Sequence, residues 1–184
     1  MDSTREARWV KNGHKTPDPS TSNYAGVVSR DSVSIALTYS DLNDVDVTAA
    51  EIQNTYLQAP SSEKHFIICG PEFGLEHVVN IALILQALYG GKMAGRDFWI
   101  YLRSCMNFLG FKSSQGDPEA WMWDAVKSYG TRYWKYVLLY VDDCLVVSNN
   151  GEKVLKNEKG KYVTLKETSI GPPKVYLGEK MSLV

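Results

Sequence analysis

Hydrophobic and polar positions are most sharply patterned in the second half of the chain. Tyr133-Trp-Lys-Tyr-Val-Leu-Leu-Tyr-Val141 is rich in aromatic and β-branched residues, breaks at Asp142-Asp143, and resumes as Cys144-Leu-Val-Val147. Two such runs around a short polar break predict a β-hairpin. Upstream, Phe98, Leu102, Cys105 and Leu109 recur at spacings of three and four, and Gly110 follows them. That pattern predicts a helix over Lys92–Leu109 with a glycine stop. Shorter strands are expected from Val45 to near Glu51, over His65–Cys69 before Gly70-Pro71, over Val78–Leu85, over Ala120–Trp123 and over Lys174–Leu177. Gly151–Tyr162 suits a helix, and Asn54–Pro60 turns away from the strand before it. Val27–Leu42 is apolar and ordered, but its periodicity does not separate helix from strand. The turn-rich residues through Asn23 read as an irregular arm. Strands and helices mixed in this order predict an α+β sandwich with a central antiparallel sheet.

Composition changes this picture little. A chain of 184 residues fits one domain and can bury a real core. Its 44% hydrophobic and 22% charged residues are ordinary for a globular protein. The most apolar run, Ile81–Leu88, contains Gln86 and stops at Tyr89-Gly90-Gly91, so no segment reaches membrane-spanning length. The first residues lack the apolar centre of a secretory signal, and an intracellular, cytoplasmic location is the default, with the nucleus also open. Cys69, Cys105 and Cys144 are widely spaced and odd in number, which fits neither a disulfide framework nor a metal motif. They are expected to be small core residues.

Charge is unevenly spread. The net charge of −1 argues against an autonomous nucleic-acid binder with a basic footprint. Residues 41–150 carry 8 Lys/Arg and 13 Asp/Glu, whereas residues 151–184 carry 7 and 4. The carboxylates are thus expected to gather at one site and the C-terminal lysines to lie elsewhere. Unpatterned surface charge accounts for the same imbalance.

The strongest candidate chemistry is Asp142-Asp143, where a buried strand emerges into a tight turn. Adjacent carboxylates on a rigid strand tip offer the hard oxygen ligands that divalent ions favour. Metal-assisted phosphoryl transfer uses two ions about 4 Å apart and needs a third carboxylate from another strand. Against this stands a plainer account: Asp is a favoured turn residue, and Asp-Asp in a hairpin requires no chemistry.

Over nearly its full length the chain resembles the reverse transcriptase of copia-like long-terminal-repeat retrotransposons. The segments that carry the resemblance are Asp46-Val-Thr-Ala-Ala-Glu-Ile-Gln-Asn-Thr-Tyr-Leu-Gln-Ala-Pro60, Ala87-Leu-Tyr-Gly-Gly-Lys92, Leu109-Gly-Phe-Lys112 with Asp117-Pro118, Tyr140-Val-Asp-Asp143, and Glu167 through Gly178. Ala7-Arg8-Trp9-Val10 is a weaker match to the fingers segment. The order and spacing of these segments are more specific than Tyr-x-Asp-Asp alone. The resemblance implies a right-hand polymerase palm, an antiparallel sheet with helices packed on one face, plus partial fingers. In that division about 1–44 would be partial fingers and arm, and about 45–184 mostly palm with finger elements. Thumb, ribonuclease H and integrase would be absent from this single partial domain.

The implied reaction extends a primer on an RNA or DNA template with deoxynucleotides, using two magnesium ions. Glu51, Asp142 and Asp143 would be the catalytic metal ligands. Tyr56 would lie beneath the incoming sugar, Gly90 and Lys92 near the nucleotide, and Arg8 at its triphosphate, since a guanidinium forks onto phosphate oxygens. Template–primer, nucleotide and other retroelement polyprotein domains are the implied partners, with no membrane. Each residue also has a plainer role: Tyr56 as a packing aromatic, Gly90-Gly91 as a turn, Lys92 as a solvated first helical turn, and Arg8 as a surface charge on an arm.

Several positions depart from the family pattern. Glu51 stands where the first catalytic aspartate is expected, placing its carboxylate roughly 1.5 Å further out. Displacement on the order of 1 Å costs about 100-fold in rate. Asp46 falls at a different matched position and does not substitute. Thr55 replaces a small alanine, Glu6 reverses a lysine, and Lys159 falls at a position that is usually apolar. The chain is also expected to be too short to grip a primer–template alone. These departures predict impaired polymerase chemistry, with a non-catalytic palm-like relic or scaffold as the alternative. A different palm-fold nucleotidyl transferase or cyclase ranks last, because the copia-like segments surround the hairpin.

Overall fold

The computed structural model describes residues 8–155, 163–176 and 178–180. Glu6, Ala7, Lys159, Leu177 and the end of the helix expected to reach Tyr162 lie outside the described residues. In chain order the helices are α1 (Arg30–Leu42), α2 (Ala94–Phe108) and α3 (Gly151–Leu155). The strands are β1 (Val47–Glu51), β2 (Pro60–Ile68), β3 (Ile81–Gln86), β4 (Lys112–Ser113), β5 (Ala120–Val126), β6 (Arg132–Tyr140), β7 (Asp143–Val147), β8 (Val175–Tyr176) and β9 (Glu179–Lys180). The chain gathers into two compact units, one of residues 1–25 and 56–101, the other of residues 26–55 and 102–184. No helix among the described residues is long and apolar enough to cross a membrane.

The second unit is built on a five-stranded antiparallel sheet in the order β1-β7-β6-β5-β4. The hairpin read from the sequence is β6–β7, with Tyr136 opposite Val147 and Tyr140 opposite Asp143. Its turn is Val141-Asp142, one residue earlier than the Asp142-Asp143 break, because Asp143 already pairs in β7. Side chains alternate across a strand, so Leu145 and Val147 share one face with Ala49 and Val47 of β1. On that face Val33 and Ala36 of α1 join Leu138, Leu145, Val147 and Tyr176 in a buried core. Trp121 and Val146 are also wholly buried, and the Arg103 guanidinium lies 5.0 Å from the Trp121 ring centre.

The ambiguous segment after Val27 is the helix α1. Ser29 caps it by accepting from the Ser32 N–H, which satisfies one of the free amides of the first turn. Asp117 then ties this helix start to the β4–β5 connection. Its carboxylate accepts from the Ser29 N–H at 2.8 Å, the Ser32 hydroxyl at 2.6 Å and the Glu119 N–H at 3.0 Å.

The first unit contains the β2–β3 antiparallel ribbon and the start of α2. Phe66, Ile68, Ile81, Leu83 and Leu85 line an exposed face of that ribbon. The helix α2 falls within the span expected from periodicity, with Phe98, Leu102 and Cys105 buried. All three cysteines are free and buried, as expected.

Burial opposes ionisation of Asp117, but the hydrogen bonds from Ser32, Ser29 and Glu119 outweigh it and hold the carboxyl below its ordinary value of 3.8. A lowered carboxylate stabilises the fold above the unfolded-state value, and that contribution is lost as pH falls through the folded-state value. Asp117→Ala should therefore cost about 2 kcal/mol at neutral pH, since it leaves the buried Glu119 N–H and the less buried Ser29 and Ser32 donors without their acceptor. Urea denaturation should show that cost shrinking as the pH is taken below 3.8; a cost independent of pH would contradict this account.

Candidate active site

Three carboxylates come from two places far apart in sequence. Strand β1 runs antiparallel to β7 with Ala49 opposite Leu145, Ala50 opposite Cys144 and Glu51 opposite Asp143. Directly opposed residues project on the same face. Glu51 and Asp143 therefore extend the core face of the sheet to its rim, beside Tyr140 on β6. Asp142 belongs to the adjoining turn, and its carbonyl accepts from the Ile52 N–H at 2.7 Å. Asp46 lies beyond the opposite end of β1, away from this rim.

The turn itself is strained. Val141 has φ of +54°, a left-handed conformation that is rare for a β-branched residue. A two-residue hairpin turn with positive φ at its first central position usually places glycine there. Strain of this kind concentrates at positions held by their surroundings, here the β6–β7 ladder on one side and the Ile52 bond on the other.

The rim is electrostatically uncomfortable. Partial desolvation raises the Asp143 carboxyl above its ordinary 3.8, and the charges of Asp142 and then Glu51 add to the rise. The side chain still reaches solvent, which screens the repulsion. Next to it, burial and then the Asp143 charge push the Cys144 thiol up to about 12, so this cysteine is an inert core residue rather than a nucleophile. Tyr176 is buried beside the same strands and donates to the Leu138 carbonyl at 3.3 Å. Burial, followed by the Cys144, Asp143 and Tyr140 charges, raises its hydroxyl as well.

A residue without any sequence signal completes the group. Lys166 Nζ lies 2.9 Å from Glu51 Oε2. It belongs to the basic C-terminal segment that the charge distribution set apart from the carboxylates. Residues 164–171 run along the free edge of β1. The Gln53 N–H donates to the Thr164 carbonyl at 3.0 Å, the Lys166 N–H to the Glu51 carbonyl at 2.9 Å, and Ala49 and Gly171 exchange two bonds at 2.7 and 3.1 Å. The Ser169 hydroxyl accepts from the Glu51 N–H at 2.8 Å and donates to the Lys166 carbonyl at 2.6 Å.

The donor chemistry of Glu51, Asp142 and Asp143 suits a hard divalent ion. The arrangement does not: the Glu51 carboxylate is engaged by an ammonium, and no three metal-ligating side chains converge among the described residues.

The residues expected near a nucleotide all fall in the first unit. Tyr56 packs edge-on against Tyr89, with ring centres 4.9 Å apart, and against Phe98 at 6.2 Å. The Arg8 guanidinium stacks over the same Tyr89 ring at 5.2 Å. Lys92 Nζ donates to the Thr16 carbonyl at 2.7 Å and to Asp18 at 2.8 Å. Gly90 has φ of +79°, and a Cβ there would sit 2.2 Å from the Lys11 carbonyl oxygen. Its lack of a side chain thus permits the close passage of the N-terminal arm. Thr55, the departure beside Tyr56, is buried and donates to the Ile52 carbonyl at 3.0 Å.

A raised carboxyl works against stability once it ionises: stability falls as pH rises through the unfolded value of 3.8 to the higher folded value. Asp143→Asn should accordingly raise the melting temperature at pH 7, and scans at descending pH should show the gain fading once the wild-type carboxyl is protonated. A lower melting temperature at pH 7 would contradict the crowded-carboxylate account.

No protein-family model matches the chain, and no solved structure matches it. It is 26% identical over 128 residues to the retrovirus-related Pol polyprotein from transposon RE1 of Arabidopsis thaliana, covering 69% of this chain and 8% of that protein. The retrovirus-related Pol polyprotein from transposon RE2 of the same organism is 23% identical over 128 residues, with the same shares covered. The chain thus spans 8% of the length of these curated relatives. It is distantly similar to retrotransposon Pol polyproteins.

Proposed function

We propose that this chain derives from the reverse-transcriptase portion of a copia-like retrotransposon Pol polyprotein, with a palm-type sheet and partial fingers, and that its polymerase chemistry is impaired. The β1–β7 register carries this reading. The Asp46–Pro60 and Tyr140–Asp143 segments, matched independently to one family, are neighbours in one sheet with Glu51 directly opposite Asp143. The distant similarity to two Pol polyproteins points the same way.

In this reading Glu51, Asp142 and Asp143 descend from the ligands of two magnesium ions, which in the family reaction activate the primer hydroxyl and stabilise the leaving phosphate. Template–primer and deoxynucleotide would be the partners, with Tyr56, Gly90, Lys92 and Arg8 on the nucleotide side. The carboxylates as seated do not form that ion site, and Lys92 is held by Thr16 and Asp18. The Lys166–Glu51 ion pair favours a second reading, a non-catalytic scaffold that keeps the ancestral sheet.

Primer extension on poly(rA) with oligo(dT), deoxythymidine triphosphate and magnesium separates the two. The polymerase reading expects weak extension by the wild type, a gain of about 10- to 100-fold for Glu51→Asp, and none for Asp142→Asn. No extension by any folded variant would overturn it in favour of the scaffold.

A further inference from the structure

We propose that the Lys166 ammonium is a built-in cation that pairs with Glu51, offsets part of the negative charge of the Glu51–Asp142–Asp143 rim, and so disfavours divalent ions there. The proposal rests on the reading of these carboxylates as former metal ligands.

An ion pair at a protein surface is commonly fortuitous and weak, because two long side chains must give up freedom to meet. Here the backbones are already joined. The Lys166 N–H donates to the Glu51 carbonyl, the Glu51 N–H donates to the Ser169 hydroxyl, and that hydroxyl donates to the Lys166 carbonyl. These bonds close a ring in which Glu51 and Lys166 are fixed before their side chains are considered. Pairs at residues 164 and 53, and at 171 and 49, bracket the ring on both sides. Lys166 is thus delivered to Glu51 by backbone hydrogen bonds along the edge of β1.

The charge balance makes that placement consequential. Glu51 and Asp143 are directly opposed and Asp142 adjoins them, so up to three negative charges meet at one end of the sheet. A like-charged group opposite another destabilises a sheet, and a cation relieves it. A tethered ammonium acts at a high effective concentration, so a divalent ion must displace it from Glu51 and accept the repulsion of a positive charge a few ångströms away.

The test is manganese binding to the full chain, read from loss of the free Mn2+ electron paramagnetic resonance signal. Lys166→Met should bind Mn2+ at least about tenfold more tightly than the wild type, the change expected from removing one nearby positive charge at water-like screening. Lys166→Arg should bind as weakly as the wild type. Lys166→Met combined with Asp143→Asn should lose the gain, which a non-specific loosening of the chain would not do. Circular dichroism melting verifies folding, and Lys166→Gln, with the same expected gain, replaces Lys166→Met should the latter not fold. A folded neutral variant that binds Mn2+ no more tightly than the wild type would overturn the proposal. Primer extension on the same preparations separates the two ideas. Tight Mn2+ binding without extension by any variant would support the exclusion by Lys166 and sink the polymerase reading; extension with Mn2+ affinity indifferent to Lys166 would do the reverse.

Discussion

The antiparallel pairing of β1 with β7 is the interaction on which the rest of the second unit depends. Its five residue pairs join segments distant in the chain, so loop-closure entropy has to be offset by what the pairing buries. The apolar half of the register does that: Val47, Ala49, Leu145 and Val147 face the α1 core. The acidic half is carried along. Once Val47 lies opposite Val147, Glu51 lies opposite Asp143, because a slip of one residue would turn the apolar set of β1 out of the core. Burial at one end of the ladder thus enforces charge crowding at the other.

The same pairing leaves one edge of β1 open. An exposed strand edge presents unpaired amides and carbonyls, and proteins cover such edges. Residues 164–171 do so here, and the cover brings Lys166 to Glu51. An aspartate at position 51 would end roughly 1.5 Å short of the glutamate carboxylate, so the ion pair with Lys166 depends on the longer side chain of Glu51. Of the three carboxylates, Glu51 is the one that meets an internal ammonium in this arrangement.

Much of the scaffold was legible in the sequence, because hairpin β6–β7, helix α2 and strand β1 announce themselves through local periodicity and stops. The turn position was not: Asp142-Asp143 looked like the break, but the ladder recruits Asp143 and leaves Val141 to take the left-handed conformation. The segment of α1 was ambiguous because its cap depends on Ser29 and on Asp117, far along the chain. The meeting of Glu51 with the Asp142-Asp143 turn was reachable only through family resemblance, since pairing register leaves no trace in composition. Lys166 was not legible at all. A lysine in a basic segment carries no local sign that its backbone will line a strand edge. Arg8, Tyr56 and Lys92 were identified as candidates, and their stacking and hydrogen-bonding partners within the first unit depended on three-dimensional neighbours that no motif names.

At the end of the β1–β7 ladder, Glu51 and Lys166 form a fixed, energetically coupled pair. A double-mutant cycle tests it most directly: urea denaturation of the wild type, Glu51→Gln, Lys166→Met and the double variant at low salt. The structure predicts a favourable coupling of about 1 kcal/mol, at the upper end for exposed pairs because the backbones are pre-joined, and a smaller coupling in high salt. Effects that simply add, to within about 0.3 kcal/mol, would show that the two side chains do not act as a pair and would contradict the account.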